Sequence, residues 1–72
     1  MYFQRLRDLR ENKGLTQKEV GNLLHIRQNV YSCYELGIRT IPVEYLLVLA
    51  DFYQTSIDYI LGRTNNPKPI GK

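Results

Sequence analysis

The chain is expected to fold as an all-α domain of five short helices, and three features of its 72 residues carry that expectation. Apolar residues recur at helical spacing in five successive segments. Glycines at 14, 37 and 62 fall where three of those segments end. No stretch has the alternation or the β-branched run of a strand, and no internal repeat is present.

The first helix is predicted from about residue 2 to residue 13. Tyr2, Phe3, Leu6 and Leu9 share one arc at about 100° per residue, Arg5 and Arg7 point away from it, and Gly14 supplies a left-handed stop. The second opens on "TQKE", where the Thr16 hydroxyl caps the amide three residues on while Glu19 reaches back, a capping box that starts the helix at Gln17. Val20, Leu23 and Leu24 make its apolar face. Gly21 leaves a gap there, at a cost of about 1 kcal/mol relative to Ala, and so predicts close approach of another helix.

The turn "HIR" holds neither Gly nor Pro and is placed by a break in apolar phase; His25 takes the left-handed conformation better than most non-glycine residues. The third helix is expected from Gln28 to about Leu36, ended by Gly37. Pro42 suits the first turn of the fourth, which continues to about Tyr53 with Leu46, Leu49, Ala50, Phe52 and Tyr53 inward. Thr55 or Ser56 caps a last short helix through Ile57, Ile60 and Leu61 to Gly62. The division expected is a domain at 1–62 and a flexible basic tail at 63–72, a stretch with two prolines and no apolar period.

Composition removes several function classes. Cys33 alone can form no internal disulfide, and Cys33 with the one histidine, His25, cannot fill a tetrahedral zinc site, so neither metal nor other cofactor is implied. The opening "MYFQRLRDLRE" has no apolar signal core and "YLLVLA" is too short to cross a bilayer, which leads to the expectation of a cytoplasmic protein that does not engage the membrane. Paired carboxylates, a nucleophile with a base and a phosphate-cradling glycine loop are all missing, so an enzyme is not expected.

Charge is unevenly spread. Arg5, Arg7, Arg10, Lys13, Lys18, Arg27 and Arg39 stand against Asp8, Glu11, Glu19 and Glu35 in residues 1–40, whereas residues 41–62 hold Glu44, Asp51 and Asp58 with no basic residue. Arg63, Lys68 and Lys72 follow. Such a division suggests one side for a polyanion and another turned away from it.

With Tyr31 at the centre of the third helix's buried arc, Tyr34 falls inside that arc, while Asn29, Ser32, Cys33 and Leu36 fall on the far side and Gln28 lies at the rim. Side-chain amides such as those of Gln28 and Asn29 present a donor and an acceptor together, the pair needed to grip adenine N6 and N7 in a major groove. Glu35 sits about 40° from Tyr31, and Arg10 about 40° from Leu6 on the first helix. A charge left alone so near a core is costly, which predicts an Arg10–Glu35 ion pair joining the two helices.

At this point "RLRDLRENKGLTQKEVGNLL", "VYSCYELGIRTIP" and "LLVLADFYQTSIDYILG" together resemble the phage repressor and Cro type of helix-turn-helix proteins, often called Xre-like, over roughly residues 5–62. Leu15, Thr16, Gln17, Tyr34, Glu35, Gly37 and Pro42, in this order and spacing, carry the resemblance. It implies a compact, lambda repressor-like five-helix domain with the second helix across the DNA backbone and the third in the major groove, and dimers on palindromic half-sites one helical turn apart. By the same resemblance Gln28, Asn29, Ser32 and Cys33 face bases, Gln17, Arg39 and Thr40 meet phosphate, and Arg10 with Glu35 matches the family's interhelical ion pair.

Three positions depart from the family pattern: His25 where a glycine is usual, Gly21 where Ala is usual, and Arg27 where a Ser or Thr cap is usual. Arg27 gives up a cap hydroxyl and is a candidate phosphate or base contact, assigned here to phosphate. The function expected is that of a sequence-specific double-stranded DNA-binding transcriptional regulator, a repressor, acting as a homodimer. The alternative is an antitoxin or antirepressor module of the same fold with a protein partner, for which Leu47, Tyr59 and Ile60 offer apolar surface; the simpler reading of those residues is that they join two copies of this chain.

Overall fold

The structure, a computed structural model, describes residues 2–68 of the chain. The last part of the expected tail, residues 69–72, lies outside the described residues, as does Met1. The elements are α1 (Gln4–Asn12), α2 (Gln17–Leu23), α3 (Gln28–Glu35), α4 (Val43–Phe52) and α5 (Ile57–Ile60), with no strand among the described residues. This is the all-α, lambda repressor-like arrangement.

All five helices end in the same way. The residue after each C-cap is left-handed, and the amide one further on returns to a carbonyl in the last turn: Leu15 to Arg10, Ile26 to Gly21, Ile38 to Cys33, Thr55 to Ala50 and Arg63 to Asp58, at 2.8–3.1 Å. Gly14, Gly37 and Gly62 fill three of these positions at low cost, whereas His25 (φ 58°) and Gln54 (φ 55°) fill the other two with side chains attached.

Several expected boundaries move, each for a physical reason. α1 starts at Gln4 rather than Tyr2, because Tyr2 lies against the end of α3; a Cβ added to Gly37 would come within 2.9 Å of the Tyr2 Cβ. Tyr2 is accordingly 53% exposed and no part of the core arc assigned to it. Pro42 is the N-cap of α4, extended at φ −63° and ψ 150°, rather than a first-turn residue. Of the two candidates at the start of α5, Ser56 is the cap, accepting from the Tyr59 amide at 3.0 Å, while the buried Thr55 hydroxyl has no partner among the described residues.

Leu6, Val20, Leu24, Tyr31, Tyr34, Ile41, Leu46, Leu49, Ala50, Tyr53 and Ile60 form one contiguous core. Ile60 is therefore not available as partner surface; it is 1% exposed under α1 and α4 side chains of the same core. Phe52 is not fully inward either: half-buried, it turns an edge to Tyr53 at 5.2 Å while the Lys13 ammonium sits 5.1 Å from its ring centre. Arg5, off the core arc of α1, is half-buried. Its guanidinium stacks 4.0 Å over the Tyr59 ring and donates to the carbonyls of Tyr59 and Thr64 and to Asn65 Oδ1, tying residues 59–65 back onto α1.

Candidate nucleic-acid interface

The site rests on how α2 starts and how closely α3 follows it. Glu19 N donates to Thr16 Oγ1 at 3.1 Å and Thr16 N to Glu19 Oε1 at 2.9 Å, so both halves of the capping box form and the first turn of α2 is fixed where Gln17 projects. Gly21 faces the turn: a Cβ there would lie 3.1 Å from the Ile26 carbonyl oxygen and 3.5 Å from the Gln28 amide nitrogen. Close approach is thus real, and what approaches is the turn and the first residue of α3.

That closeness sets the side chains of α2 and α3 around one open groove of about 480 Å³, lined by Gln17, Gln28, Asn29 and Ser32. The lining holds three amides and a hydroxyl and no charged group, so it can donate and accept hydrogen bonds without a fixed preference for either. Cys33, one turn beyond Asn29, is a half-buried free thiol and is not part of that lining. Arg27 stands exposed at the N-cap of α3 and makes no cap hydrogen bond with its side chain. Arg39 and Thr40 are exposed in the loop after α3, whose path is set by the Ile38 and Arg39 amides both donating to the Cys33 carbonyl.

Behind the groove lies a buried polar cluster. Arg10 Nε donates to Glu35 Oε2 at 2.7 Å and Arg10 Nη2 to Glu35 Oε1 at 3.1 Å, a two-pronged pair, while Nη1 reaches the Leu15 carbonyl at 2.8 Å. The Glu35 side chain is 3% exposed. Burial by itself raises the Glu35 pKa, but hydrogen bonds from Arg10 and Gln17 and the Arg10 charge outweigh it, and the carboxyl is held below its ordinary value. The Arg10 pKa is raised by the Glu35 hydrogen bond, against a smaller opposing effect of burial.

Two phenols adjoin the same carboxylate. Burial first and the Glu35 charge second push the Tyr31 pKa up, and the same two causes bring Tyr53 up to about 12. Both stay neutral at working pH, so the cluster holds one cation and one anion. Gln17 connects it to the surface: its Nε2 donates to Glu35 Oε1 at 3.2 Å. That bond is absent from the sequence reading, since nothing in the spacing of residues 17 and 35 places their side chains in contact before the fold does.

A second surface, built mainly from α4, is largely apolar. Val43, Leu47 and Val48 of α4 are 59%, 57% and 44% exposed, and Leu23, Leu47, Val48, Asp51 and Phe52 line a second, shallow groove. Among the described residues no three His, Cys, Asp or Glu side chains gather so as to hold a metal ion, and no helix is long and apolar enough to cross a membrane.

Comparison with known proteins gives this geometry its context. A helix-turn-helix family model matches residues 6–60. The chain is 41% identical over 69 residues to an uncharacterized HTH-type transcriptional regulator, YobD, of Bacillus subtilis, covering 96% of this chain and 62% of that protein. It is 40% identical over 60 residues to the HTH-type transcriptional regulator ImmR of the same organism, covering 83% and 47%, and 37% identical over 57 residues to the cryptic phage CTXphi transcriptional repressor RstR of Vibrio cholerae, covering 79% and 51%. The chain thus spans between about half and three-fifths of these relatives' length. No solved structure gave a significant match. Five helices in this order, an amide-lined groove between α2 and α3, and a family match over residues 6–60 lead to one statement: the chain belongs to the helix-turn-helix family of the phage repressor and Cro type.

Proposed function

We propose that this domain is the DNA-reading part of a sequence-specific transcriptional regulator, a repressor, that binds a palindromic double-stranded operator as a homodimer in the cytoplasm. One observation carries the reading: the uncharged, amide-rich groove of Gln17, Gln28, Asn29 and Ser32 sits on a tightly held helix pair, and the residues just before and after α3 include the exposed cations Arg27 and Arg39. In this arrangement α2 lies across the backbone and α3 enters the major groove. Gln28, Asn29, Ser32 and Cys33 meet base edges, and Gln17, Arg27, Arg39 and Thr40 meet phosphate. Position comes from the second set and base choice from the first. The family is one of binding proteins, and no catalytic role is assigned.

Selection of bound duplexes from a random pool, followed by titration of the enriched sequence at two salt concentrations, tests the reading. The expected result is an inverted repeat with half-site centres about 10 bp apart. With Arg27 and Arg39 from each of two copies at phosphates, log K should fall against log salt with a slope of about −4. No enriched motif, together with binding that vanishes as salt rises, would reject it.

A second reading is supported by the exposed Leu47 and Val48, which give α4 the apolar surface of an antitoxin or antirepressor module with a protein partner. Tyr59 contributes less than its sequence position suggests, because Arg5 covers its ring. Sedimentation of the purified chain separates the cases. Self-association at micromolar concentration that Leu47→Glu abolishes favours a homodimer through this face, and a strict monomer leaves the face to another protein.

A further inference from the structure

We infer that the buried Arg10–Glu35 pair, beyond joining α1 to α3, orients the Gln17 amide for contact with nucleic acid, which makes Glu35 a positioning residue for binding. This rests on the DNA-binding reading of the groove. Glu35 Oε1 receives two donors at once, Arg10 Nη2 at 3.1 Å and Gln17 Nε2 at 3.2 Å. Gln17 in turn lines the groove together with Gln28, Asn29 and Ser32. One side chain therefore has its nitrogen on the buried carboxylate and its remaining polar atoms toward the proposed contact surface.

The chemistry of the partner decides which way the amide faces. An ionised carboxylate only accepts hydrogen bonds, so Nε2 has to be the atom that meets Glu35, whatever the difficulty of telling amide nitrogen from oxygen by shape. Glu35 stays ionised because every group facing it favours that form or is neutral: Arg10 from α1, Gln17 from α2, Tyr31 from α3 and Tyr53 from the end of α4. With Nε2 committed, Gln17 offers the groove its carbonyl oxygen and one N–H in a fixed direction. Rotamer freedom that a free glutamine would lose on binding has already been lost on folding.

Arg10 supports this arrangement from behind. Its two-pronged grip and its third bond, to the Leu15 carbonyl, fix the carboxylate in place and also the backbone one residue before the Thr16 cap of α2. Both ends of Gln17, its backbone and its amide, are held by the same ion pair. A half-buried residue of α2 is thereby given the rigidity of a core residue.

The experiment is a double-mutant cycle on affinity for the selected operator duplex, with Gln17→Ala, Glu35→Gln and the combination, each checked for native helicity at the assay temperature. Glu35→Gln should weaken binding about tenfold in the parent and less than about twofold once Gln17 is already Ala. Equal fold losses in both backgrounds would overturn the inference and leave Glu35 a purely structural residue. Should Glu35→Gln fail to fold, side-chain amide relaxation in the unmodified, DNA-free chain decides the question. The Gln17 NH₂ group should be as rigid as ordered backbone, with an order parameter near ~0.85, while those of Gln28 and Asn29 stay mobile; a Gln17 amide as mobile as theirs overturns the inference. If no duplex is enriched at all, the DNA reading itself has failed, and the relaxation measurement still judges the geometry separately.

Discussion

At the α2–α3 junction Leu24, His25 and Ile26 carry the chain round, and at the α4–α5 junction Tyr53, Gln54 and Thr55 do the same with equivalent backbone bonds. His25 N donates to the Asn22 carbonyl and Ile26 N to that of Gly21; Gln54 N donates to the Asp51 carbonyl and Thr55 N to that of Ala50. Gly21 and Ala50 are equivalent positions. The missing side chain at Gly21 lets the α2–α3 turn sit where a Cβ would meet the Ile26 carbonyl at 3.1 Å. The helices that follow differ more. α5 begins with Ser56 capping the Tyr59 amide, while α3 begins with Arg27, whose side chain caps nothing. One turn is satisfied from within the molecule. The other ends at a helix start that no side chain caps, where the Val30 amide turns back to the Arg27 carbonyl at 3.1 Å.

The largest effect should come from removing what secures the open junction from behind. Glu35→Ala leaves the Arg10 guanidinium, whose side chain is 13% exposed, without its counter-ion. A cost of about 3–5 kcal/mol is expected, a large part of the stability of a domain this small, and urea denaturation should read it. The pH dependence follows in sign. A carboxyl held below its unfolded-state value contributes stability that is complete above that value, near 4.5, and is lost as pH falls through the folded-state pKa. The parent should therefore lose stability below about pH 4.5 more steeply than Glu35→Ala. Equal acid slopes would mean that another carboxylate governs that range.

Exchanging the two caps sharpens the contrast at the next level. Ser56→Ala should cost about 1 kcal/mol with no effect on DNA affinity. Arg27→Ser should do the reverse on stability, adding about 1 kcal/mol by capping α3, while weakening DNA binding because the cap hydroxyl occupies an amide and a cation is lost. A stabilised Arg27→Ser that bound as well as the parent would show that neither the start of α3 nor Arg27 meets the backbone.

Much of this contrast is legible in the residues, and the part that is not follows a rule. The capping box, the glycine stops and the core of α3 and, apart from the half-buried Phe52, of α4 depend on neighbours within about one helical turn, and those readings hold. Ile41 is a core residue that the sequence does not mark, because a single apolar residue in a loop has no period to announce it; it is 3% exposed. Gln54 was likewise unmarked, since glutamine carries no sign of a left-handed position. Arg5 over Tyr59 and Gln17 on Glu35 join residues 54 and 18 apart in sequence, and only the packing of α1 on α5 and of α2 on α3 brings them together. The amide face of α3 was visible from helical geometry alone. Its link to the buried ion pair was not.

The smallest effect tests whether the two left-handed residues bear the same strain. An L-residue in this conformation costs roughly 1–2 kcal/mol per residue, and replacing it with Gly recovers that while giving back about 0.4–1 kcal/mol through the freer unfolded chain. His25 makes no side-chain hydrogen bond among the described residues, so His25→Gly should gain about 0.5–1 kcal/mol in urea denaturation. Gln54 donates from Nε2 to the Asp51 carbonyl at 2.7 Å, which already meets one of the last carbonyls of α4. Gln54→Gly loses that bond with the strain and should change stability by less than about 0.5 kcal/mol. Equal gains at the two positions would remove the distinction between the junctions at the level of the turn itself, and confine it to Ser56 and Arg27, where the next helix begins.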